Sequence, residues 1–210
     1  MQKSEPRWPA ALALLFCLGL YMLLPGRLVV GPRYLVPVLL GLPLVPLLAV
    51  KHHRPDDNPL LRRLALTLVG LVTVANMVSV VLLVQRLLDT HVSQGRSLIY
   101  SAASIWVTNV ILFGVWFWEI DRGGPGHRAV DTHVVFDLQF PQMENPSLAP
   151  EGWRPQFLDY LYTSFANGTS FAPADAMPLT TRAKCLFLSE SIVSLVTISI
   201  VAARAVNILH

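Results

Sequence analysis

The chain has 210 residues, of which 53% are hydrophobic and only 14% are charged. Soluble domains carry about 25% charged residues, so this composition, with several long apolar runs, indicates a single integral membrane domain. The formal net charge of +3 is small, and the charges cluster near the ends of the apolar runs. These charges are therefore expected to set the orientation of the chain in the membrane and to contact lipid headgroups. No nucleic-acid partner is expected.

The apolar runs predict an all-α integral membrane protein with about five transmembrane helices, placed in the cell membrane as a multi-pass protein with the lipid bilayer as its partner. The predicted spans are residues 9–24, 34–50, 64–85, 101–118 and 185–203. The first is interpreted as an uncleaved span, because Pro25-Gly26-Arg27 follows it instead of a small-x-small cleavage site.

A polar loop at residues 51–63 holds the best candidates for metal ligands, His52, His53, Asp56 and Asp57. Adjacent histidines do not share a helix face, so a solvated, headgroup-binding loop is favoured over a metal site. Cys17 and Cys185 lie in different apolar runs and are expected to be buried free thiols. Motifs for nucleophilic catalysis, phosphate binding and dinucleotide binding are missing from the sequence, so neither a cofactor nor an enzymatic activity is expected.

Polar residues in the third and final spans are candidates for a role inside the membrane. In the third, Asn76 shares a face with Thr73 and Val80, and a hydrogen bond to a neighbouring helix is favoured over a transport role. In the final span, Glu190 lies near Ser194, and a carboxylate at such a place is expected to face the interior and to be functional. The alternative is that Glu190 reaches the interface or pairs there, since Lys184 is only six residues away.

The fourth span ends with Glu119 and Asp121, which should point to different sides of a helix and are interpreted as interface anchors. Residues 123–155 are predicted to form a linker, because glycines open it and prolines punctuate it. A short strand is expected at 134–136 within this linker.

A short helix is predicted at 157–166, about 15 Å long and therefore about half of a hydrocarbon core. Asn167 and Gly168 should end it, since both residues accept the left-handed conformation. A short helix, a polar break and then a spanning helix are the order of a re-entrant loop. The alternative is an interfacial helix, because apolar residues share one face; they are Leu158, Leu161, Tyr162 and Phe165.

The segment from Asp159-Tyr160-Leu161-Tyr162-Thr163-Ser164-Phe165 to Asp175 and Pro178 resembles the pore helix, filter and following proline of the potassium-channel superfamily. It is more similar still to a family of uncharacterised bacterial membrane proteins with a like Asp-x-Leu-Tyr-x-x-Phe stretch and a final helix ending near Val-Asn. The resemblance implies a pore loop at Thr169, Ser170, Phe171, Ala172, Pro173, Ala174 and Asp175.

The likeness to potassium channels fails within this loop. Ser170-Phe171-Ala172-Pro173-Ala174 stands in place of Thr-Val-Gly-Tyr-Gly. In those channels stacked carbonyls replace the hydration shell of the ion, and glycines supply backbone angles that alanine resists. Potassium selectivity is therefore not expected, and the loop should form a packed plug in which Asp175 or Thr180 caps the final helix.

Two functions follow from these features. The first is an oligomeric pore-loop-like ion channel or transport protein without a potassium-selective filter, with a second copy of the chain and an inorganic ion as partners. The alternative is a non-conducting structural or partner-binding membrane protein, because the similar family has no assigned activity. Lys3, Arg7 and the 51–63 loop place the N-terminus in the cytoplasm by the positive-inside rule, whereas the channel resemblance would place it outside.

Overall fold

The computed structural model describes residues 5–29, 34, 37–38, 41, 59–88, 95–130, 135–170 and 176–209. The helices in these ranges are α1 (Trp8–Leu23), α2 (Pro59–Leu88), α3 (Gly95–Ile120), α4 (Pro125–Val130), α5 (Pro141–Glu144), α6 (Phe157–Ser170) and α7 (Thr181–Leu209). Single 3-10 turns occur at Gly26–Leu28, Asp121–Gly123 and Pro146–Leu148. Strands β1 (Leu138–Gln139) and β2 (Met177–Pro178) pair antiparallel.

Three of the described helices are long and apolar enough to cross a membrane: Arg62–Leu87, Ser97–Gly123 and Thr181–Arg204. They contain the predicted spans 64–85, 101–118 and 185–203, and the predicted helical class is confirmed. The apolar helix α1, which corresponds to the predicted span 9–24, has 16 residues and is shorter than these three. Apart from residues 34, 37, 38 and 41, the predicted span 34–50 lies outside the described residues.

Helix α3 is central and contacts α1, α2, α6 and α7. Aromatic side chains near its C-terminal end fix its neighbours. Phe117 stacks on Phe187 of α7 with ring centroids 4.4 Å apart, and Trp118 meets Phe157 of α6 edge-on at 6.0 Å. Gly114 brings α6 close, because a Cβ added there would lie 3.0 Å from the Cα of Leu161. Small residues allow this kind of close helix contact in membrane proteins.

Several charged residues lie together at one end of the bundle, which is called the polar end. The N-terminal segment is here, since Arg7 lies 3.8 Å from Glu119 at the end of α3. Helix α6 begins here, where the backbone N–H of Phe157 donates to Glu5 at 2.6 Å. The start of α7 is held at the same end by an ion pair at 2.5 Å between Arg182 and a linker carboxylate.

The opposite end contains a buried apolar cluster. Here the Ser79 hydroxyl of α2 donates to the carbonyl of Leu28 at 2.9 Å, and Leu28, Val80 and Leu98 belong to one buried cluster. After α1, the chain therefore lies at the opposite end of the bundle just before residue 30. Helix α2 starts again near the polar end, where the Arg62 side chain approaches Gly124.

Helix α6 continues through Asn167 and Gly168 to Ser170, so the predicted end at residue 166 is wrong. Tertiary contacts explain the difference. The Asn167 amide donates to the carbonyl of Phe187 at 3.1 Å, and an added Cβ at Gly168 would meet Ser194 Oγ at 3.1 Å. The α7 surface therefore stabilises a helical conformation at two residues that would otherwise favour a turn.

The direction of α6 follows from its contacts with α3. Its first residue meets Trp118, and the carbonyl of Gly168 accepts a hydrogen bond from Trp106 at 3.4 Å, so α6 runs antiparallel to α3. Strand β2 is back at the polar end, since it pairs with β1 and precedes α7. The chain thus enters and leaves the α3–α6–α7 unit from one end.

The predicted linker 123–155 has more regular structure than expected, including α4, α5 and β1. The strand predicted at 134–136 is wrong for the described residues 135 and 136, because β1 begins at Leu138. The Asp121 carboxylate accepts from the N–H groups of Asp137 and Leu138, at 3.1 and 3.3 Å. Those bonds fix the position at which the chain can pair with β2.

Candidate functional site

A cluster of polar side chains lies where α3, α6 and α7 meet. It is called the interior cluster and consists of Asn109, Ser164, Asn167, Glu190 and Ser194. Each member has a relative exposure of 2% or less. Polar groups that are buried in this way must satisfy one another, so the hydrogen bonds of the cluster define its chemistry.

Glu190 is the centre of the interior cluster and has 0% exposure. Its Oε1 is bonded to the Ser164 hydroxyl, and that hydroxyl also contacts the Val110 carbonyl at 2.6 Å. Its Oε2 accepts from Asn167 Nδ2 at 2.8 Å. The expectation that Glu190 faces the interior is confirmed.

The alternative for Glu190, pairing at the interface near Lys184, is wrong. Six residues along a helix amount to about 600°, so the two side chains lie on different faces. Lys184 is exposed, whereas the described partners of the Glu190 carboxyl are uncharged. Glu190 is therefore part of the contact between helices.

Asn109 and Ser194 close the cluster on the side of α3 and α7. The Nδ2 atom of Asn109 donates to Ser194 Oγ at 3.2 Å and to the Glu190 carbonyl at 3.3 Å. The structure therefore brings the predicted residues Glu190 and Ser194 together. Asn109, Ser164 and Asn167 were missed, because only the fold shows which small polar residues face a carboxylate.

Asn76 is buried on α2, in agreement with the predicted face. Thr73, on the same face of α2, makes a hydrogen bond to α3. Its hydroxyl accepts from Trp116 Nε1 at 3.0 Å. The predicted interhelical hydrogen bond of Asn76 stays a prediction. Asn76 is not a member of the interior cluster.

The pore-loop candidates divide into two groups. Thr169 and Ser170 form the last residues of α6, so their assignment to a loop is wrong. Their hydroxyls donate back to the helix, to Phe165 O at 2.8 Å and to Ala166 O at 2.5 Å. The others lie outside the described residues; they are Phe171, Ala172, Pro173, Ala174 and Asp175.

A second set of polar residues occupies the polar end and is called the end cluster: Glu5, Asp121, Arg128, Asp137, Tyr160 and Arg182. Asp121, Arg128, Asp137 and Tyr160 are buried, Glu5 is partly buried and Arg182 is exposed. Asp121 has 0% exposure, so its interpretation as an interface anchor is wrong. Besides the two backbone N–H groups of the linker, it accepts from the Tyr160 hydroxyl at 2.7 Å. Asp121 therefore joins α3, the linker and α6.

Asp137 holds the start of α7. Arg182 donates to both of its carboxylate oxygens at 2.5 Å, and the Thr180 hydroxyl donates at 2.5 Å. Burial alone would raise the pKa of Asp137, but the hydrogen bonds and charge of Arg182, with the Thr180 bond, lower it. Thr180 Oγ also accepts from the Ala183 N–H at 3.3 Å, so Thr180 caps α7 as predicted.

Glu5 fixes the entry of α6. In addition to the Phe157 N–H, its carboxylate accepts from Trp118 Nε1 at 2.7 Å and from Arg128 at 3.4 Å. A carboxylate at a helix N-terminus is favoured by the helix dipole. The sequence gives little signal for Glu5, because its partners lie more than 100 residues away.

The chemistry available differs between the clusters. The end cluster contains paired charges, which hold segments in place. The interior cluster offers one carboxyl, hydroxyls and amides in a dry environment, which is chemistry suited to a proton or a small cation. Within the described ranges there is no group of three or more His, Cys, Asp or Glu side chains that could hold a metal ion.

Comparisons with known proteins do not assign the chain to a family. No protein-family model, curated protein or solved structure matches it. The resemblance of residues 159–178 to pore-loop proteins therefore rests on those residues alone and stays a prediction.

Proposed function

We propose that the protein is an oligomeric, pore-loop-like membrane protein that passes an inorganic cation without selecting potassium. The observation that carries this proposal is the path of α6. It starts at the polar end, runs for 14 residues between α3 and α7, and is followed by β2 at the same end. At ~1.5 Å per residue α6 is about 20 Å long, some two thirds of a hydrocarbon core of ~30 Å.

In a bilayer such a helix would be re-entrant, in preference to the interfacial alternative. Its polar face, with Ser164 and Asn167, is buried against neighbouring helices. Its apolar face is outward, with Leu158 71% and Tyr162 55% exposed. A polar inner face with an apolar outer face suits a helix that is surrounded by protein on one side and lipid or another copy on the other.

Five spans agree with the positions of the flanking residues. Leu28 and the start of α2 lie at opposite ends of the bundle, so a crossing between them, as predicted for 34–50, would complete the topology. With α1 and the three long helices, this would place the N-terminus and the re-entrant loop on one side of the membrane.

The inner end of α6 favours cations over anions. A helix dipole carries partial negative charge at its C-terminus, and α6 ends at Ser170, far from the polar end. The remaining pore-loop candidates, 171–175, follow this end directly. In an assembly of several copies, the C-terminal ends of α6, at Ser170, would lie around a common axis and give a path partial negative charge.

Potassium selectivity is not part of the proposal. Ala172 and Ala174 would each lose roughly 1–2 kcal/mol in a left-handed backbone conformation, and Pro173 has no amide proton. In an oligomer every copy would contribute the same loss. A path at this loop should therefore admit cations by charge and size, without a carbonyl column of the potassium type.

Purified protein in planar bilayers, with potassium on one side and sodium on the other, tests the proposal. We expect a cation current whose reversal potential lies near zero and does not follow the potassium gradient. In a Cys17→Ser, Cys185→Ser background, Ser170→Cys should give a current that a water-soluble thiol reagent blocks. The matched control is Ile192→Cys on the outward face of α7, which should not be blocked.

The alternative is a non-conducting, structural or partner-binding membrane protein. It is favoured by the interior cluster, whose buried polar groups bond to one another. Absence of current and of ion flux from liposomes, for folded protein containing all of its chain, would contradict the pore proposal and support this alternative.

The side of the membrane can be tested separately. If the N-terminus is cytoplasmic, Ser4→Cys and Asp57→Cys, each in the same cysteine-free background, should resist an impermeant thiol reagent added to intact cells. Labelling of both would place the N-terminus outside, together with the entry of α6, as the channel resemblance implies.

A further inference from the structure

We infer that Glu190 is a proton-binding site inside the membrane domain, held as a neutral carboxylic acid that donates its proton to Ser164. The inference goes beyond the proposed function, because it holds for a conducting or a non-conducting protein. The contacts of Ser164 require one more proton than its hydroxyl supplies.

The Ser164 hydroxyl has one proton but lies between two oxygen atoms. One is the Val110 carbonyl oxygen at 2.6 Å, and the other is Glu190 Oε1. A carbonyl oxygen and an ionised carboxylate oxygen only accept hydrogen bonds. If Ser164 donated to an ionised Glu190, its oxygen would face the Val110 carbonyl without a proton between them. Both contacts become hydrogen bonds when Glu190 donates to Ser164 and Ser164 donates to Val110.

The second carboxyl oxygen fits this arrangement. Asn167 Oδ1 accepts from the Ser191 hydroxyl at 3.2 Å, so its Nδ2 faces Phe187 O and Glu190 Oε2. An amide nitrogen only donates, and its two protons are used by these two acceptors. Oε2 is therefore the accepting carbonyl oxygen, and Oε1 carries the proton.

No described positive charge contacts the Glu190 carboxyl. Helix α3 presents Asn109 and the Val110 carbonyl to the cluster, α6 presents Ser164 and Asn167, and α7 itself adds Ser194. The charged residues of α2 are Arg62 and Arg63 near its start and Arg86 near its end, and α1 has none.

Titratable groups on the same helices do not contact the Glu190 carboxyl among its described hydrogen bonds. Tyr160, one turn before Ser164, donates to Asp121, and Tyr162, Lys184 and Cys185 are exposed. An ionised carboxylate without a counter-charge in a dry site is costly, whereas the neutral acid is fully bonded here.

Loss of the proton would change the contact between α6 and α3. Ser164 would then turn its proton to the carboxylate, and the Val110 carbonyl would face an unprotonated oxygen at 2.6 Å. Because this contact lies six residues, nearly two turns, before the inner end of α6, ionisation of Glu190 should loosen the inner half of that helix. Protonation of Glu190 is thus a condition for the packed form.

Infrared difference spectroscopy of the full chain in lipid nanodiscs tests the inference. The spectrum of the parent minus that of Glu190→Gln should show, at neutral pH, the carbonyl stretch of a protonated carboxylic acid. A carboxylate signal at neutral pH in its place would overturn the inference. Glu151→Gln, at an exposed linker position, is the matched control and should not remove the band.

A second variant keeps the test decisive if Glu190→Gln fails to fold. Ser164→Ala retains the carboxyl but removes its hydrogen-bond acceptor. The protonated-acid band should move to higher frequency, as expected for a less strongly bonded acid. An unchanged band would show that the acid does not donate to Ser164. Absence of ion flux would contradict the proposed pore but would leave both spectroscopic results unaffected.

Discussion

The end cluster and the interior cluster bury carboxylates in opposite ways. Asp137 at the polar end is paired with Arg182 and accepts two bonds from it, so its charge is matched by an opposite charge. Glu190 is surrounded by a hydroxyl and amides, and its proton supplies the donor that the site lacks. The difference shows that the neighbours, and not the residue type, decide whether a buried acid is charged.

The two clusters also have different roles in positioning α6. The end cluster fixes where the helix starts, through Glu5 on its first N–H and Asp121 on Tyr160. The interior cluster keeps the last turn of α6 helical, through the hydrogen bond of Asn167 and the close contact of Gly168 with Ser194. Perturbing them separately should therefore have separable effects, on the stability of the whole domain and on the inner half of α6.

A common assay can compare these perturbations. Cys17 is buried, as predicted, whereas Cys185 is exposed, so its predicted burial is wrong. In a Cys185→Ser background, a thiol-reactive dye should report the exposure of Cys17 as the protein unfolds in detergent. The midpoint of this transition measures stability for each variant below.

The largest effect is expected for Asp121→Asn. The amide can accept at one atom only, so either the linker N–H groups or the Tyr160 hydroxyl would lose its partner. Breaking such a buried charged network should cost about 2–4 kcal/mol and lower the midpoint clearly. Glu151→Gln is the control on the exposed linker surface. An unchanged midpoint for Asp121→Asn would mean that the end cluster does not organise the domain.

Gly114→Ala and Gly168→Ala probe the contacts of α6 instead. The new Cβ would lie 3.0 Å from the Leu161 backbone in the first case and 3.1 Å from Ser194 Oγ in the second. We expect about 1–3 kcal/mol of destabilisation, larger for Gly114, because a backbone atom yields less than a hydroxyl. Gly19→Ala is the matched control, since nothing lies within 4 Å of its added Cβ. Equal behaviour of all three would contradict the close packing of α6.

The charge of Asp137 predicts a pH dependence. The pKa of this carboxyl is lowered in the folded state, so its stabilising contribution is complete above its ordinary value of 3.8. It is lost as pH falls through the lower, folded pKa. The parent midpoint should fall on acidification below pH ~4, and Asp137→Asn should start lower and fall less steeply. A steeper acid limb in the variant would reverse the assigned sign.

The smallest effect is expected for Thr180→Ala. This change removes the cap of α7 and one bond to Asp137, with an expected cost of about 1 kcal/mol. Thr180→Ser keeps both hydrogen bonds and should restore most of the midpoint. If serine were no better than alanine, the methyl group and not the cap would explain the loss.

Several features followed from local sequence alone. Long apolar runs predict α2, α3 and α7, because a membrane requires continuous helices of about 20 apolar residues. The inward position of Glu190 followed from the cost of exposing a carboxylate to lipid. Thr180 as the cap of α7 followed from its place just before an apolar run.

The tertiary structure decided the rest. Whether Asn167 and Gly168 end a helix depends on the α7 surface beside them, and local propensity is too weak to predict it. Asp137 and Arg182 are 45 residues apart, and their pairing requires the linker to fold back over α3. Ser164, Asn167 and Glu190 form one site only because α6 and α7 both start at the polar end and pack side by side. The sequence determines how unfavourable it is to bury each polar group in the membrane. The packing of distant helices decides which of these groups become hydrogen-bond partners.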